Sequence, residues 1–217
     1  MNATSAMSAT NDHGSPVHLA VYDTYADWET GHTTAYLARA GREIRTVGPT
    51  REPVTTIGGL RIQPDLALDE LRPEDSSLLI LTGADLWDTS DDLTPFARKA
   101  RAFLDAGVPV AAICGRRPGS PARAPRRPGP HQCRVLYLAA TGYRGGGRYA
   151  DTDAVTDGNL VTAGPTEPVA FAREVLRLLG VYEGEVLDAW YRLFHDSDAS
   201  AYAVLEKASG AAEEAAR

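Results

Sequence analysis

Val108-Pro-Val-Ala-Ala-Ile-Cys-Gly115 is the stretch that decides the fold: an apolar run that ends in a cysteine and then a glycine. A short continuous apolar run reads as a buried strand. A buried strand that delivers a nucleophile and then a small residue is the local pattern of a nucleophile elbow, a turn that lifts the side chain above the sheet. The helix expected after it would supply backbone N–H groups that stabilise a thiolate and any oxyanion formed beside it. Taken alone, Cys114 also reads as a buried cysteine acting as a small hydrophobe.

The order of elements around Cys114 favours the elbow. Val17-His-Leu-Ala-Val-Tyr22 is an apolar strand, and Ala26 to Ala40 reads as a helix with Trp28, Tyr36 and Leu37 on its apolar side and Gly41 as its stop. Glu43 to Val47 reads as a second strand. Val54-Thr-Thr-Ile57 and Leu60-Arg-Ile62 flank Gly58-Gly59 as a hairpin, and Ser77-Leu-Leu-Ile-Leu-Thr82 is another apolar strand. A helix from about Leu93 to Ala106 leads into the Cys114 strand. Apolar strands alternating with helices predict an α/β fold with a parallel sheet covered on both faces, whose ligands bind beyond the carboxyl ends of the strands. Glu29, Gly83-Ala84 and Cys114 all fall at or just past such ends.

Four segments together resemble the DJ-1/PfpI family of the class I glutamine amidotransferase-like superfamily. They are Tyr25-Ala-Asp-Trp-Glu-Thr30, Leu79-Ile-Leu-Thr-Gly-Ala-Asp85, Val110-Ala-Ala-Ile-Cys-Gly115 and Asp157-Gly-Asn-Leu-Val-Thr-Ala-Gly-Pro165. Their order and spacing match from about Val17 to Leu179, most closely a bacterial subgroup labelled glutamine amidotransferase or intracellular protease-like. The resemblance implies a flavodoxin-like, Rossmann-like parallel sheet between helices, with Cys114 as the elbow cysteine and Glu29 as the acid that reaches it. A protonated carboxyl donates a hydrogen bond to a thiolate and lowers the thiol pKa. The resemblance also implies an oxyanion hole from Gly115 and Ala84, with Gly83 beside them. Asp27, Trp28, His32 and Asp85 are expected to line the pocket, with a plain core role for Trp28 equally open. Without the resemblance, Glu29 reads as a solvated helix acid.

The second catalytic group implied is a histidine after the post-elbow helix. Arg116 to Arg134 reads RRPGSPARAPRRPGPHQCR there, with prolines at 118, 121, 125, 128 and 130. Each interior proline costs a helix on the order of 3 kcal/mol, so this stretch is not that helix. Two explanations stand: a basic loop particular to this chain that binds an anion, or a shifted reading frame. Reread one nucleotide downstream with permitted GC-rich codons, Arg123 to Gln132 becomes GLLDGRAHTS, which looks like the family's segment ending in its histidine. His131 lies near the expected place and is the candidate base. Among the other histidines, His13 is in the tail, His18 is on the first strand and His195 is in the terminal extension, and each reads as structural.

The chain has 217 residues, 43% hydrophobic and 24% charged, with net charge −7. That suits one domain with short additions: an expected disordered, polar leader over 1–15, a DJ-1/PfpI domain over 16–180 containing the anomalous 116–134, and a helical extension over 181–217. The acidic balance argues against a nucleic-acid surface. Cys114 and Cys133 are the only cysteines, too few for a disulfide scaffold. No apolar run approaches the roughly 18 residues of a membrane span, and the leader lacks an apolar signal region, so the expectation is a cytoplasmic protein without membrane contact. Neither CxxC nor HExxH occurs, and neither a metal nor a cofactor is expected. Gly145-Gly-Gly147 reads as a turn before a strand at Tyr149 to Val155.

Thr166 to Leu179 reads as an amphipathic helix, capped by Thr166, with Val169, Ala172, Val175, Leu176 and Leu179 on one stripe. Val186, Leu187, Trp190, Tyr191 and Phe194 form a second apolar helical face that needs covering, by its own core or by a second subunit. Family members are commonly dimers, and a homodimer is expected. Ala201 to Arg217 reads as a weaker helix. Two function classes follow from the resemblance: a cysteine-dependent hydrolase or lyase acting on a small amide or electrophilic carbonyl, or a non-enzymatic redox and stress protein that oxidises Cys114 to a sulfinic acid. No His-x-Glu lies near the carboxyl-terminal strand, so the amidotransferase label is expected to name the fold only.

Overall fold

The computed structural model describes residues 14–113 and 152–215. Its main sheet has seven strands in the order β5-β2-β1-β6-β7-β9-β8. These are β1 (Val17–Ala20), β2 (Ile44–Gly48), β5 (Leu66–Ala67), β6 (Leu78–Leu81), β7 (Val110–Ile113), β8 (Ala154–Asp157) and β9 (Leu160–Ala163). Every pairing is parallel except β8 with β9 at the edge. β3 (Val54–Thr55) and β4 (Arg61–Ile62) form the separate antiparallel hairpin, with Gly59 at φ +83° in its turn, a conformation that favours glycine.

The central strands are buried on both faces, and their two-residue period divides two cores. Leu79, Leu81, Val110 and Ala112 pack with Phe96, Ala97, Ala100 and Phe103 of α3 (Thr94–Asp105). Leu78, Ile80, Ala111 and Ile113 face the other way, onto Leu37 of α1 (Gly31–Arg39) and Phe171, Val175 and Leu176 of α4 (Pro168–Leu178). The sheet between helices predicted from sequence is therefore present.

The expected single helix from Ala26 to Ala40 is broken. A 3-10 turn over Asp27–Glu29 precedes α1, with Thr30 between them at φ −117°, ψ 0°. The Tyr25 hydroxyl is hydrogen-bonded to Thr30 Oγ1, and both residues are buried. The break turns Trp28 away from the core, so it is 53% exposed and the core reading of that residue is corrected. Gly41 ends α1 with φ +77°, as expected of a helix stop. The helix expected from Thr166 starts later: its N-cap is Glu167, and no side chain caps it. The short elements β5 and α2 (Leu86–Thr89), and 3-10 turns at Pro73–Asp75 and Ala199–Ala201, had no counterpart in the sequence reading. Of the strand expected at Tyr149 to Val155, residues 149–151 lie outside the described residues.

The terminal extension consists of α5 (Gly184–His195) and α6 (Tyr202–Ala215). Its apolar face is covered within the chain: Leu187 and Trp190 are buried in the core that contains α1 and α4. The Trp190 ring meets Tyr36 at 5.2 Å and Phe194 at 5.1 Å, and its indole Nε1 is buried without a partner. Trp190→Ala should therefore cost about 3–5 kcal/mol. Trp190→Phe, which keeps most of the apolar volume and removes the unpaired N–H, should cost clearly less. Urea unfolding of both variants checks this order.

Candidate active site

β1, β6 and β7 lie side by side and parallel, so their carboxyl ends open on one edge. The loop after β1 is tied to the loop after β6. Tyr25 forms a bridge with Ala84, and the Ala26 N–H donates to the Gly83 carbonyl at 2.9 Å. Beneath this tie is a buried polar cluster. The Tyr22 hydroxyl donates to the Thr82 carbonyl, and the Trp87 Nε1–H reaches Tyr22 Oη at 3.1 Å and the Thr82 carbonyl at 3.0 Å. Satisfied polar groups in a water-free setting specify one arrangement, because any other would leave them unpaired.

Glu29 ends the 3-10 turn and is 2% exposed. Its Oε2 accepts the Gly83 N–H at 2.5 Å. Burial disfavours the carboxylate and pushes the pKa up to about 8, and the Gly83 N–H pulls it only partway back. At neutral pH Glu29 is mostly a neutral acid that can donate a proton in a hydrogen bond. A Cβ at position 83 would lie 2.6 Å from Glu29 Oε1 and 2.9 Å from Oε2, so a side chain there would displace the carboxyl from this contact. Gly83, grouped from sequence with the oxyanion-binding residues, here gives its N–H to Glu29.

The remaining expected residues divide. Asp27 Oδ2 accepts the N–H of Gly58 at the hairpin tip at 2.7 Å, while its Oδ1 is buried without a partner. The Trp28 Nε1–H donates to the Pro165 carbonyl at 3.2 Å, which links the turn to the loop before α4. Ala84 and Asp85 lie between β6 and α2, Asp85 at the N-cap. Asp27, Trp28, Glu29, Gly83, Ala84 and Asp85 thus share the loops at one edge. His32 points elsewhere: its ring packs edge-on against Phe194 at 5.2 Å and Trp190 at 6.1 Å, and burial lowers its pKa. Cys114, Gly115, His131 and Cys133 lie outside the described residues, as does 116–134. Cys114 follows Ile113, the last residue of β7, in the chain.

Sequence reasoning missed Tyr22, Thr82 and Trp87, which hold the two loops together, and Gly58. The available signal was a hydroxyl residue at the end of each of two apolar strands, Tyr22 and Thr82. Thr24, which adopts φ 62° and accepts the Leu86 N–H on its Oγ1 at 3.2 Å, carries no such signal.

The raised pKa of Glu29 makes it a source of instability at high pH. Its folded pKa of about 8 lies above the ordinary 4.5. The unfolded chain therefore releases this proton first, and stability falls as pH rises between those values, by up to about 1.4 kcal/mol per unit. Glu29→Gln should flatten that decline. Urea unfolding at pH 5.5 and pH 8 should show wild type losing stability relative to the variant, and parallel losses would exclude a neutral buried acid.

A family model described as the DJ-1/PfpI family matches residues 16–178. A Bacillus subtilis protein named uncharacterized protease YoaZ is 35% identical over 82% of this chain and 89% of its own length. A second from the same organism, uncharacterized protease YdeA, is 29% identical over 73% of this chain and 80% of its own. Among solved structures, a thiJ/pfpI family protein from Bacillus anthracis superposes with a TM-score of 0.71 at 29% identity, covering 88% of this chain and 95% of that one. A DJ-1 superfamily protein from Agrobacterium tumefaciens gives a TM-score of 0.66 at 29% identity, covering 84% and 98%. The match runs from the first strand through the helix after the last, and it includes the loops that bury Glu29 against Gly83: the chain belongs to the DJ-1/PfpI family.

Proposed function

We propose that the chain is a cysteine-dependent hydrolase or lyase acting on a small amide or an electrophilic carbonyl, with Cys114 as nucleophile. The observation that carries the reading is Glu29, a buried acid kept neutral near pH 7 beside the carboxyl ends of β1 and β6. β7, which Cys114 follows, is the next strand. An uncharged acid there suits a partner that must be an anion, because it donates a hydrogen bond without adding a negative charge. The relatives named as proteases favour a hydrolase.

In this reading the Cys114 thiolate attacks the carbonyl carbon, and the backbone N–H groups of Ala84 and Gly115 stabilise the oxyanion. For an amide, His131 protonates the departing amine, and water then cleaves the thioester and regenerates the thiol. For an aldehyde such as a glyoxal, addition gives a hemithioacetal; its C–H hydrogen moves to the adjacent carbonyl carbon to give a 2-hydroxyacyl thioester, and water cleaves the C–S bond to release the hydroxy acid and the thiol. Trp28 and Asp27 border the entrance. Asp27 Oδ1, buried and unpartnered, is an acceptor for a substrate N–H. Glu29 would equally hold the sulfinate of an oxidised Cys114, which is the redox alternative.

Alkylation by iodoacetamide separates these readings from an inert cysteine. Cys114 should react far faster than Cys133, with a thiol pKa well below the free value of about 8.5. Its reactivity should fall in Glu29→Gln, whose amide is a weaker donor than the acid. Ordinary reactivity at Cys114, unchanged by that substitution, would overturn both readings. A screen of wild type against Cys114→Ser on methylglyoxal, small amides and isonitriles then distinguishes enzyme from redox protein. The rate should also decline as pH rises through about 8, where Glu29 ionises and places a like charge beside the thiolate.

A further inference from the structure

We propose that Asp153, Glu167 and His195 form a binding site for a first-row divalent cation of the zinc class, at the edge of the sheet where the terminal extension returns. The three residues come from separate parts of the chain. Asp153 immediately precedes β8, Glu167 is the N-cap of α4 and His195 is the last residue of α5. One ligand atom from each lies within 4.8 Å of the others. His195 Nε2 is 3.7 Å from Asp153 Oδ2, close to the roughly 3.4 Å that separates two ligands bound about 2.1 Å from one tetrahedral zinc ion.

The orientation of the imidazole is a second, independent observation. His195 Nδ1 is 2.6 Å from Asp196 Oδ1, and its ring stacks on Tyr191 with centroids 4.5 Å apart. A carboxylate on one ring nitrogen fixes the tautomer and leaves the other as a ligand, the carboxylate–histidine–metal arrangement of zinc sites. Asp153 is also held, since Tyr191 Oη donates to its Oδ2 at 3.4 Å, and Thr166 Oγ1 donates to Glu167 Oε1 at 2.8 Å. Among the described residues no lysine or arginine is paired with Asp153 or Glu167. The nearby Arg173 reaches Asp188 at 3.2 Å and lies over the face of Tyr191, with its Nε unpartnered. His195 also ends a helix, where unpaired carbonyls favour a cation.

One imidazole and two carboxylates select by donor type. An imidazole nitrogen suits zinc, cobalt or nickel, whereas magnesium and calcium take oxygen ligands. Three protein ligands leave at least one position for water or another donor. The sequence expectation of no metal rested on the absence of CxxC and HExxH, which are local patterns; these three residues meet only in the fold. Filling the site would fasten the end of α5 to the loop before α4, the loop whose Pro165 carbonyl receives the Trp28 indole.

The test uses the full chain with Cys114→Ser and Cys133→Ser, which removes thiolates as competing ligands, and zinc chloride as the probe. Equilibrium dialysis should find one zinc per chain. A zinc excess of about a hundredfold over Kd should raise the melting temperature by roughly 5–10 °C, while magnesium at the same concentration should not. His195→Gln, Asp153→Asn or Glu167→Gln should each abolish stoichiometric binding, and Asp196→Asn should weaken it by about 10- to 100-fold. His195 and Asp153 are exposed, so these variants should keep the metal-free melting temperature, which confirms that each is folded. Absence of zinc binding in the thiol-free chain, or binding indifferent to His195→Gln, would leave only an ordinary ion pair and overturn the proposal.

Discussion

Gly83 is the residue on which the candidate site depends, because both of its backbone polar groups are used by the loop that follows β1. Its carbonyl accepts the Ala26 N–H, and its own N–H donates to the Glu29 carboxyl. A side chain at this position would collide with that carboxyl. The absence of a Cβ lets an acid be buried against the sheet edge, and burial keeps the acid neutral. Fold and electrostatics meet in one contact: the bond that joins the first loop to the sheet also orients the buried acid.

The layers were legible in the sequence because they follow from periodicity. Leu78–Leu81 and Val108–Ile113 are apolar without interruption, which only a doubly covered strand tolerates. The hairpin was equally plain, since Gly58-Gly59 supplies the backbone freedom that its turn requires. The break at Thr30 was not legible: composition from Ala26 to Ala40 suits a helix throughout, and the turn that replaces its first residues is held by bonds to Gly83, more than fifty residues away. For the same reason Trp28 looked apolar enough for the core, whereas it lies in the open with its indole N–H on Pro165. β5 is too short, at Leu66–Ala67, to show a period, and it exists because β2 offers it a free edge.

The site was legible in part. Glu29 carries no local signal that separates it from a solvated helix acid, and only the match of its surrounding motif raised it. Its burial and raised pKa come from contacts with a segment 54 residues away. His32, one helical turn beyond Glu29, was grouped with it by spacing. The partner that decides its position is α5, whose aromatic residues draw the ring toward Trp190 and Phe194. Helical spacing fixes which residues share a face; it does not say which neighbour that face will meet.

The extension illustrates this from the other side. Its apolar stripe could have met a second subunit or its own domain, and the structure buries Leu187 and Trp190 against α1 and α4. Among the described residues the large apolar side chains left exposed are Trp28, Ile57, Leu60 and Tyr202. Three of them adjoin the candidate site, because Ile57 and Leu60 flank the hairpin tip whose Gly58 N–H is held by Asp27, the neighbour of Trp28. Apolar surface is costly to leave in water at about 25 cal/mol per Å², and here it gathers on the loops beside a buried neutral acid. An apolar patch favours partners that are themselves partly apolar, whereas a neutral acid favours an anionic hydrogen-bond partner, and in the proposed reaction this division would suit a small carbonyl substrate attacked by a thiolate.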